Sequence, residues 1–399
     1  MQITIVGGGF GGVRAAIELA KDPSNQITII TDKPDFQYYP TLYSSATGHS
    51  HLESWVSLGE IFADKQNVHV YIDTIYHIDA HKKTLRGASG IAYYYETVIF
   101  AIGVVTTYFD IPGLETYTYG IKSEEEIRKL KQRLFVDIAE KHTLDKNYVV
   151  VGAGPTGIEL SAALGTYVNR LCKYYGVKNH KVRIHLIEAA PRILPRSSQL
   201  TSKVVSRRLK RLGVIIETNK RVERANAHEL IVSGRPIESH TVIWTSGVTN
   251  HPFFAAHPNV FKLAPNGRVL VDDYLRAHNH VYVIGDNAAT PYTGLAQTAI
   301  HNADLVVDNL TRLSKGRPPK KYKAMLPVSA IPVGHNWAVV EWRWVRIYGW
   351  TGGLIRRVAD LVGYSEVFPI GTSLGAWRAA KVYEHDYFTP TIKPQKRSK

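Results

Sequence analysis

One cysteine, Cys172, stands among 399 residues. That scarcity excludes a disulfide framework, a Cys-x-x-Cys redox pair and a thiolate zinc site, and no metal is expected. No uninterrupted run of 18 apolar residues occurs, so no transmembrane helix is expected. Met1 leads straight into the strand-like Ile3-Thr4-Ile5-Val6, which predicts no signal peptide. Acids are the minority charge, 34 Asp and Glu against 49 Lys and Arg, for a formal net charge of +15. Such an excess suits phosphate-rich cofactors, an anionic membrane surface or nucleic acid. The last lacks further support, because the basic residues are scattered and no zinc-finger spacing or RNP-type aromatic box is present. No nucleic-acid partner is expected. What remains is an ordinary folding composition, 44% hydrophobic and 21% charged, neither disordered nor collagen-like.

Two βαβ patterns organise the chain. The apolar run Ile3 to Val6 enters Gly7-Gly8-Gly9-Phe10-Gly11-Gly12 and then a helical stretch from Val13 to Lys21. Ala15, Ala16, Leu19 and Ala20 share one face of it, and a second strand from Ile27 ends at Asp32. The pattern recurs at Tyr148 to Val151, followed by Gly152-Ala153-Gly154-Pro155-Thr156-Gly157, a helix from Ile158 and a strand from Val182 to Ile187 that ends at Glu188. Such duplication predicts an α/β protein with two Rossmann-like dinucleotide-binding units. Three further apolar runs end at glycine: Thr97 to Ala101 before Gly103, Thr241 to Thr245 before Gly247, and Val281 to Ile284 before Gly285-Asp286. That is the pattern of buried parallel strands meeting a ligand crevice. Ala296 to Leu313 reads as helix, and Lys393 to Lys399 as a disordered basic tail.

A lone GxGxxG is weak, since glycines also mark ordinary turns. Here each set sits between a strand and a helix. Gly7 and Gly152 permit the tight turn, Gly9 and Gly154 let the backbone approach a pyrophosphate, and Gly12 and Gly157 let helix and strand pack closely. The phosphates then lie at a helix N-terminus, which favours an anion. Asp32 follows the first loop, and Glu188 the second at a longer spacing, as ribose acceptors. An acid in that place repels a 2′-phosphate and favours NADH over NADPH, although Arg192 nearby works against the discrimination. The simplest assignment is FAD on the first loop and NADH on the second. The alternative is one working loop and one degenerate copy.

With these motifs in place, the chain resembles the two-dinucleotide-binding-domain flavoproteins, and more closely the type II NADH dehydrogenases, single-subunit peripheral NADH:quinone oxidoreductases. The resemblance runs through Asp32-Lys33-Pro34-Asp35-Phe36, Pro40-Thr41-Leu42-Tyr43, Ala46-Thr47-Gly48, the loop Gly152 to Leu160, Leu186-Ile187-Glu188-Ala189, Val242 to Val248, Val283 to Asp286 and Ala296-Gln297. It spans residues 1 to about 305. It implies that FAD is held by Gly7, Gly9, Phe10, Gly12, Asp32, Lys33, Ala101, Gly103, Gly285, Asp286, Ala296 and Gln297. It implies NADH at Gly152, Gly154, Pro155, Thr156, Gly157, Glu188 and Gly247. Glu159 is implied to face the flavin and take part in proton delivery to a quinone, and Gln297 opens the quinone-site helix. The family usually has a second glutamine one turn later, where this chain has His301. Gln297 and His301 share a helix face, and a histidine can bond a quinone oxygen or supply a proton.

The expected division is 1–110 with 250–326 for FAD, 111–249 for NADH, and 327–399 as a C-terminal membrane-associating segment. Lys381 or Arg378 of that segment is the expected partner of Glu159. Five of the seven tryptophans lie there: Trp337, Trp342, Trp344, Trp350 and Trp377. Leu354, Val358, Leu361 and Val362 fall near one helical face, with Arg356, Arg357 and Asp360 mostly elsewhere. Tryptophan and arginine suit a lipid headgroup boundary; they are also enriched where domains pack or copies of a chain meet, and a homodimer is expected. The resemblance implies peripheral attachment at the cytoplasmic face of the cell membrane. Without a cysteine pair, reduced flavin must pass its electrons directly to a diffusible acceptor, which weighs against disulfide-reductase and sulfide:quinone chemistry. Two rivals stay open: a soluble NADH-dependent flavin reductase of a redox protein or small acceptor, and a flavin-bearing interaction protein with vestigial turnover.

Overall fold

The computed structural model describes residues 1–178 and 180–384. The basic run Lys393 to Lys399 lies outside the described residues. The first unit is a six-stranded sheet in the order Arg276–His278, Val281–Val283, Thr97–Phe100, Gln2–Val6, Gln26–Thr31, Val68–Ile72. All neighbours are parallel except the first pair. Ile3 pairs with Ile27 on one side and Thr97 on the other, so the strand that feeds the first glycine loop is central. Central parallel strands are covered on both faces, which is why Ile3, Ile5, Ile27, Ile29, Val98 and Ile99 are fully buried. The helix Phe10–Leu19 returns over the sheet and packs on the helix Ala296–Ser314. Ala15, Ala16 and Leu19 point inward, as their spacing predicts.

The second unit has four parallel strands in the order Val214–Glu217, Ile184–Ile187, Tyr148–Val151, Thr241–Trp244. Its helix spans Pro155–Tyr174, beginning three residues before the Ile158 start expected from the sequence. Proline at the first helical position lacks only an N–H that would be unpaired there anyway. The chain leaves the first unit through Val104–Thr106 and returns through Val248–Asn250, and these two segments pair antiparallel. Both glycine loops are thereby kept near one crossover.

The remainder forms an antiparallel sheet of Ser329–Pro332, Ala338–Trp342 and Val345–Gly349, followed by the helices Trp350–Ser365 and Ile370–Ala379. Among the described residues, no helix is long and apolar enough to cross a membrane. Leu354, Val358 and Val362 are exposed, while Arg356 and Tyr364 on the same helix are buried.

Candidate active site

The two glycine loops have the same geometry. Gly7 and Gly152 adopt φ of +113° and +104°, a region side chains avoid. A Cβ on Gly12 would lie 2.0 Å from the Gly7 carbonyl oxygen, and one on Gly157 would lie 1.8 Å from that of Gly152. A Cβ on Gly9 or Gly154 would meet nothing within 4 Å. Each of these two residues is the N-cap of its helix, without a side-chain cap and with no acid in the first turn. The outer glycines are packed and the middle one faces an open cradle at a positive helix end. That is the fit a pyrophosphate requires. Pro155 and Thr156 open the second helix beside this cradle. Phe10 opens the first, but its ring is turned inward against Phe36 at 5.0 Å and Tyr38 at 5.4 Å, so it offers a phosphate only its backbone.

Around the first cradle, Asp32 and Lys33 are exposed at the end of the second strand. The Ala101 carbonyl crowds Gly7, where a Cβ would come within 2.3 Å of the oxygen. Gly103 is held by a residue that motif reading missed. The buried Asn287 side chain accepts from the Gly103 N–H at 2.9 Å and donates to its carbonyl at 2.6 Å, and also donates to Asn250 at 2.8 Å. Gly285 donates its N–H to Asn302 of the Ala296–Ser314 helix at 3.1 Å. Asp286 accepts from the Gly294 N–H at 3.0 Å, and burial raises its pKa above the usual carboxyl value. Ala296 begins the helix just beyond.

Around the second cradle, Glu188 accepts from the Ala153 N–H at 2.7 Å and the Ala190 N–H at 2.8 Å, so the acid is braced against the loop. Arg192 gives its guanidinium to the Leu194 and Pro195 carbonyls. Gly247 accepts from Lys122 Nζ at 3.1 Å. Lys122, another residue the sequence did not flag, has its pKa lowered by burial.

A helix that began at Ile158 would hold Glu159 in its first turn, and the structure does not. The helix starts at Pro155, which moves Glu159 past that turn and into the interior. Its partner is neither Lys381 nor Arg378 but Arg356, with Nη1 3.6 Å from Glu159 Oε1. Lys381 instead lies over the Trp377 ring at 5.9 Å. Arg356 donates Nε to both oxygens of Asp360 at 2.9 and 3.0 Å, Nη1 to the Ala330 carbonyl and Nη2 to the Pro40 carbonyl. One guanidinium therefore ties the C-terminal helix to both dinucleotide units. Burial pushes the Glu159 carboxyl up to about 8; Arg356 pulls against this and Asp360 adds to it. Tyr43 lies in the same buried group.

Gln297 and His301 do share a helix face. Gln297 donates Nε2 to the Val328 carbonyl at 2.8 Å and accepts from the Val328 N–H at 2.9 Å. His301 Nε2 lies 2.8 Å from the Lys323 carbonyl, and its ring is 5.6 Å from that of Tyr322. Both side chains fasten the stretch 322–328 to the helix. The sole cysteine, Cys172, is buried in the Pro155–Tyr174 helix.

Two open phosphate cradles in duplicated βαβ units define a class of protein that handles two dinucleotides. The chain belongs to the pyridine nucleotide-disulphide oxidoreductase family, whose model matches residues 1–303. Among curated relatives, the type II NADH:quinone oxidoreductase of Staphylococcus epidermidis RP62A is 26% identical over 357 residues, covering 84% of this chain and 88% of that one. That of Mycobacterium tuberculosis H37Rv is 27% identical over 414 aligned positions, covering 94% of this chain and 87% of that one. The solved NDH2 of Plasmodium falciparum in complex with NADH shares the fold, with a TM-score of 0.82 at 18% identity, covering 98% of this chain and 99% of that one.

Proposed function

We propose that this protein is an FAD-dependent NADH:quinone oxidoreductase that does not pump protons. The observation that carries the reading is the pair of intact cradles combined with a single, buried cysteine. Electrons delivered by NADH have no cysteine pair to go to and must leave for an external acceptor. The names of the staphylococcal and mycobacterial relatives support a quinone as that acceptor.

Bound FAD supplies the two-electron carrier between the nicotinamide and the acceptor. The chain supplies placement and protons. The Gly7–Gly12 loop would hold the flavin pyrophosphate, and Asp32 and Asp286 would bond its sugar hydroxyls. The Gly152–Gly157 loop and Glu188 hold NADH, and the carboxylate of Glu188 disfavours a 2′-phosphate. Glu159, protonated near neutral pH, is the group that gives a proton to a reduced quinone oxygen. Gln297 and His301 shape the acceptor side through the stretch 322–328 that they fasten.

The FAD unit is read as 1–110 with 250–326, the NADH unit as 111–249, and the C-terminal layer as the membrane-contacting part. The paired crossover strands support the first boundary. The exposed Trp344, Trp350, Leu354, Val358, Val362 and Ile370 support peripheral docking on an anionic bilayer. The test is anaerobic mixing with NADH, then steady-state NADH oxidation with menaquinone and ubiquinone analogues in lipid vesicles. Bleached flavin and quinone-dependent turnover are expected. Turnover that is equally good with a soluble acceptor, without vesicles, supports the soluble reductase instead. A flavin that NADH does not bleach supports the interaction protein. Sedimentation of the purified protein tests the expected homodimer.

A further inference from the structure

Arg356 is contested. Its Nε edge faces both oxygens of Asp360, one helical turn further along, at 2.9 and 3.0 Å. Glu159 reaches the guanidinium only at Nη1, at 3.6 Å, and that nitrogen already donates to the Ala330 carbonyl. Nη2 is taken by the Pro40 carbonyl. The side chains of Arg356, Glu159 and Asp360 retain 11%, 10% and 20% of their exposure. Two carboxyls in a poorly hydrated space thus share the Arg356 guanidinium, and the geometry gives the better share to Asp360.

We propose that Asp360 is a positioning residue for Glu159: by occupying the Nε edge of Arg356 it makes Glu159 the proton-bearing carboxyl of the trio. The proposal deepens the reading of Glu159 as a proton donor and rests on it. A guanidinium placed squarely on Glu159 would hold that carboxylate ionised and remove its proton at neutral pH. Among the described residues, the groups facing the trio do not supply a second cation for Glu159. Tyr43 faces it from the segment after Pro40; Tyr38 and Glu53 face Asp360 from the same region. Tyr364 and Arg357 face Asp360 from its own helix. Glu53 is a third buried acid, its carboxyl bonded by Ser45 at 3.5 Å, and it brings no positive charge to the group.

The trio makes a sign prediction that packing alone does not. Asp360→Asn keeps the shape and an acceptor for Nε but removes the competing charge, so the proton affinity of Glu159 falls. Arg356→Gln removes the cation, so that affinity rises. The measurement is an infrared pH titration of the FAD-loaded protein, following the protonated-carboxyl band that Glu159→Gln abolishes. The expected midpoint moves down by about 1 unit in Asp360→Asn and up by about 1 unit in Arg356→Gln. Arg356→Lys, which keeps the charge, moves it less than Arg356→Gln. The alkaline limb of flavin reoxidation by a quinone follows the same order. Midpoints that stay fixed, that move in the same direction in both variants, or a Glu159 band that never appears overturn the proposal. Should Arg356→Gln fail to fold, the downward shift in Asp360→Asn decides alone. A wild-type protein that titrates as described but is reoxidised by no quinone refutes the functional reading and not this one.

Discussion

Two alanines placed three residues apart separate what a cradle does for the fold from what it does for a ligand. Gly157→Ala drives a methyl to 1.8 Å from the Gly152 carbonyl oxygen and 2.8 Å from Thr245 Oγ1. Both neighbours are anchored, since Gly152 also donates its N–H to Ile187 and Thr245 Oγ1 donates to the Val151 and Gly152 carbonyls. Helix and strand must move apart, at a cost of about 3 kcal/mol, the upper end for overpacking. Gly154→Ala meets no atom within 4 Å. Its φ of −73° and ψ of −178° are open to any residue. Lower freedom in the unfolded chain favours alanine by about 0.4–1 kcal/mol, and its poorer N-capping opposes that by a similar amount. The net effect on stability is therefore within about 1 kcal/mol.

The two variants should part company in two assays. Thermal unfolding without added nucleotide should find Gly154→Ala close to wild type and Gly157→Ala clearly lower. NADH titration of flavin bleaching should find Gly154→Ala weakened at least about tenfold, near 1.4 kcal/mol, because its methyl occupies the space a pyrophosphate needs. Flavin content is the internal control and should be unchanged in Gly154→Ala, whereas Gly9→Ala should lose flavin. Wild-type NADH affinity in Gly154→Ala would refute the assignment of this loop to the nucleotide. A stability loss in Gly154→Ala equal to that in Gly157→Ala would refute the claim that the space is open.

Other outcomes follow from the same geometry. Glu188→Ala removes both the ribose acceptor and the brace on the Ala153 N–H; the NADH KM should rise about tenfold, near 1.4 kcal/mol, and the NADH-over-NADPH preference should shrink, as read from the two kcat/KM values. Leu354→Glu with Val358→Glu changes two exposed side chains; co-sedimentation with anionic vesicles should fall while NADH bleaching and Tm hold. Burial pushes the Glu53 carboxyl from 4.5 up to about 8, with Ser44 pulling it down and Asp360 adding to the rise. The native state then binds the extra proton between those values, so stability is greatest below the lower value and declines as pH rises toward the upper one. Glu53→Gln should flatten that decline, gaining on the order of 2 kcal/mol near pH 9 and nothing near pH 4.

The glycine loops were legible because every member of the motif answers a local demand. Spacing alone says which glycine must turn, which must be packed and which must stay bare, and the clearances agree in both copies. Strand ends at Gly103, Gly247 and Gly285 were legible for a similar reason, since buried parallel strands are plain apolar runs. What joins these pieces was not legible. Asn287 and Lys122 act through contacts with residues far away in sequence, and nothing about an Asn after Asp286 or a Lys before a helix marks them. The start of the second helix is not legible, because Gly152 to Gly157 reads as one glycine loop, although proline is at home in the first turn of a helix. The three residues from Pro155 to Gly157 carry Glu159 from the helix mouth into its buried part. Gln297 and His301 were correctly put on one face, but the stretch 322–328 has no periodicity to announce that it would lie across them.

The pattern of the C-terminal helix hides Arg356 as the partner of Glu159. Its stripe Arg356, Asp360, Tyr364 has a spacing of four, and so does the stripe Leu354, Val358, Val362. A helix with one polar and one apolar stripe normally buries the apolar one. Here the polar stripe is inside and the apolar stripe outside. The inversion is tolerable because the inner groups are satisfied: Arg356 by Asp360 and two carbonyls, and Tyr364 by donating to the Glu53 carbonyl at 2.7 Å. Turning the helix to bury the leucine and valines would take Arg356 away from Glu159, Pro40 and Ala330 together. The exposed apolar face is thus the other side of a choice made at the acid. Its cost in water is relieved by contact with something apolar, and the bilayer docking proposed above would provide that contact on the face of the helix opposite Glu159.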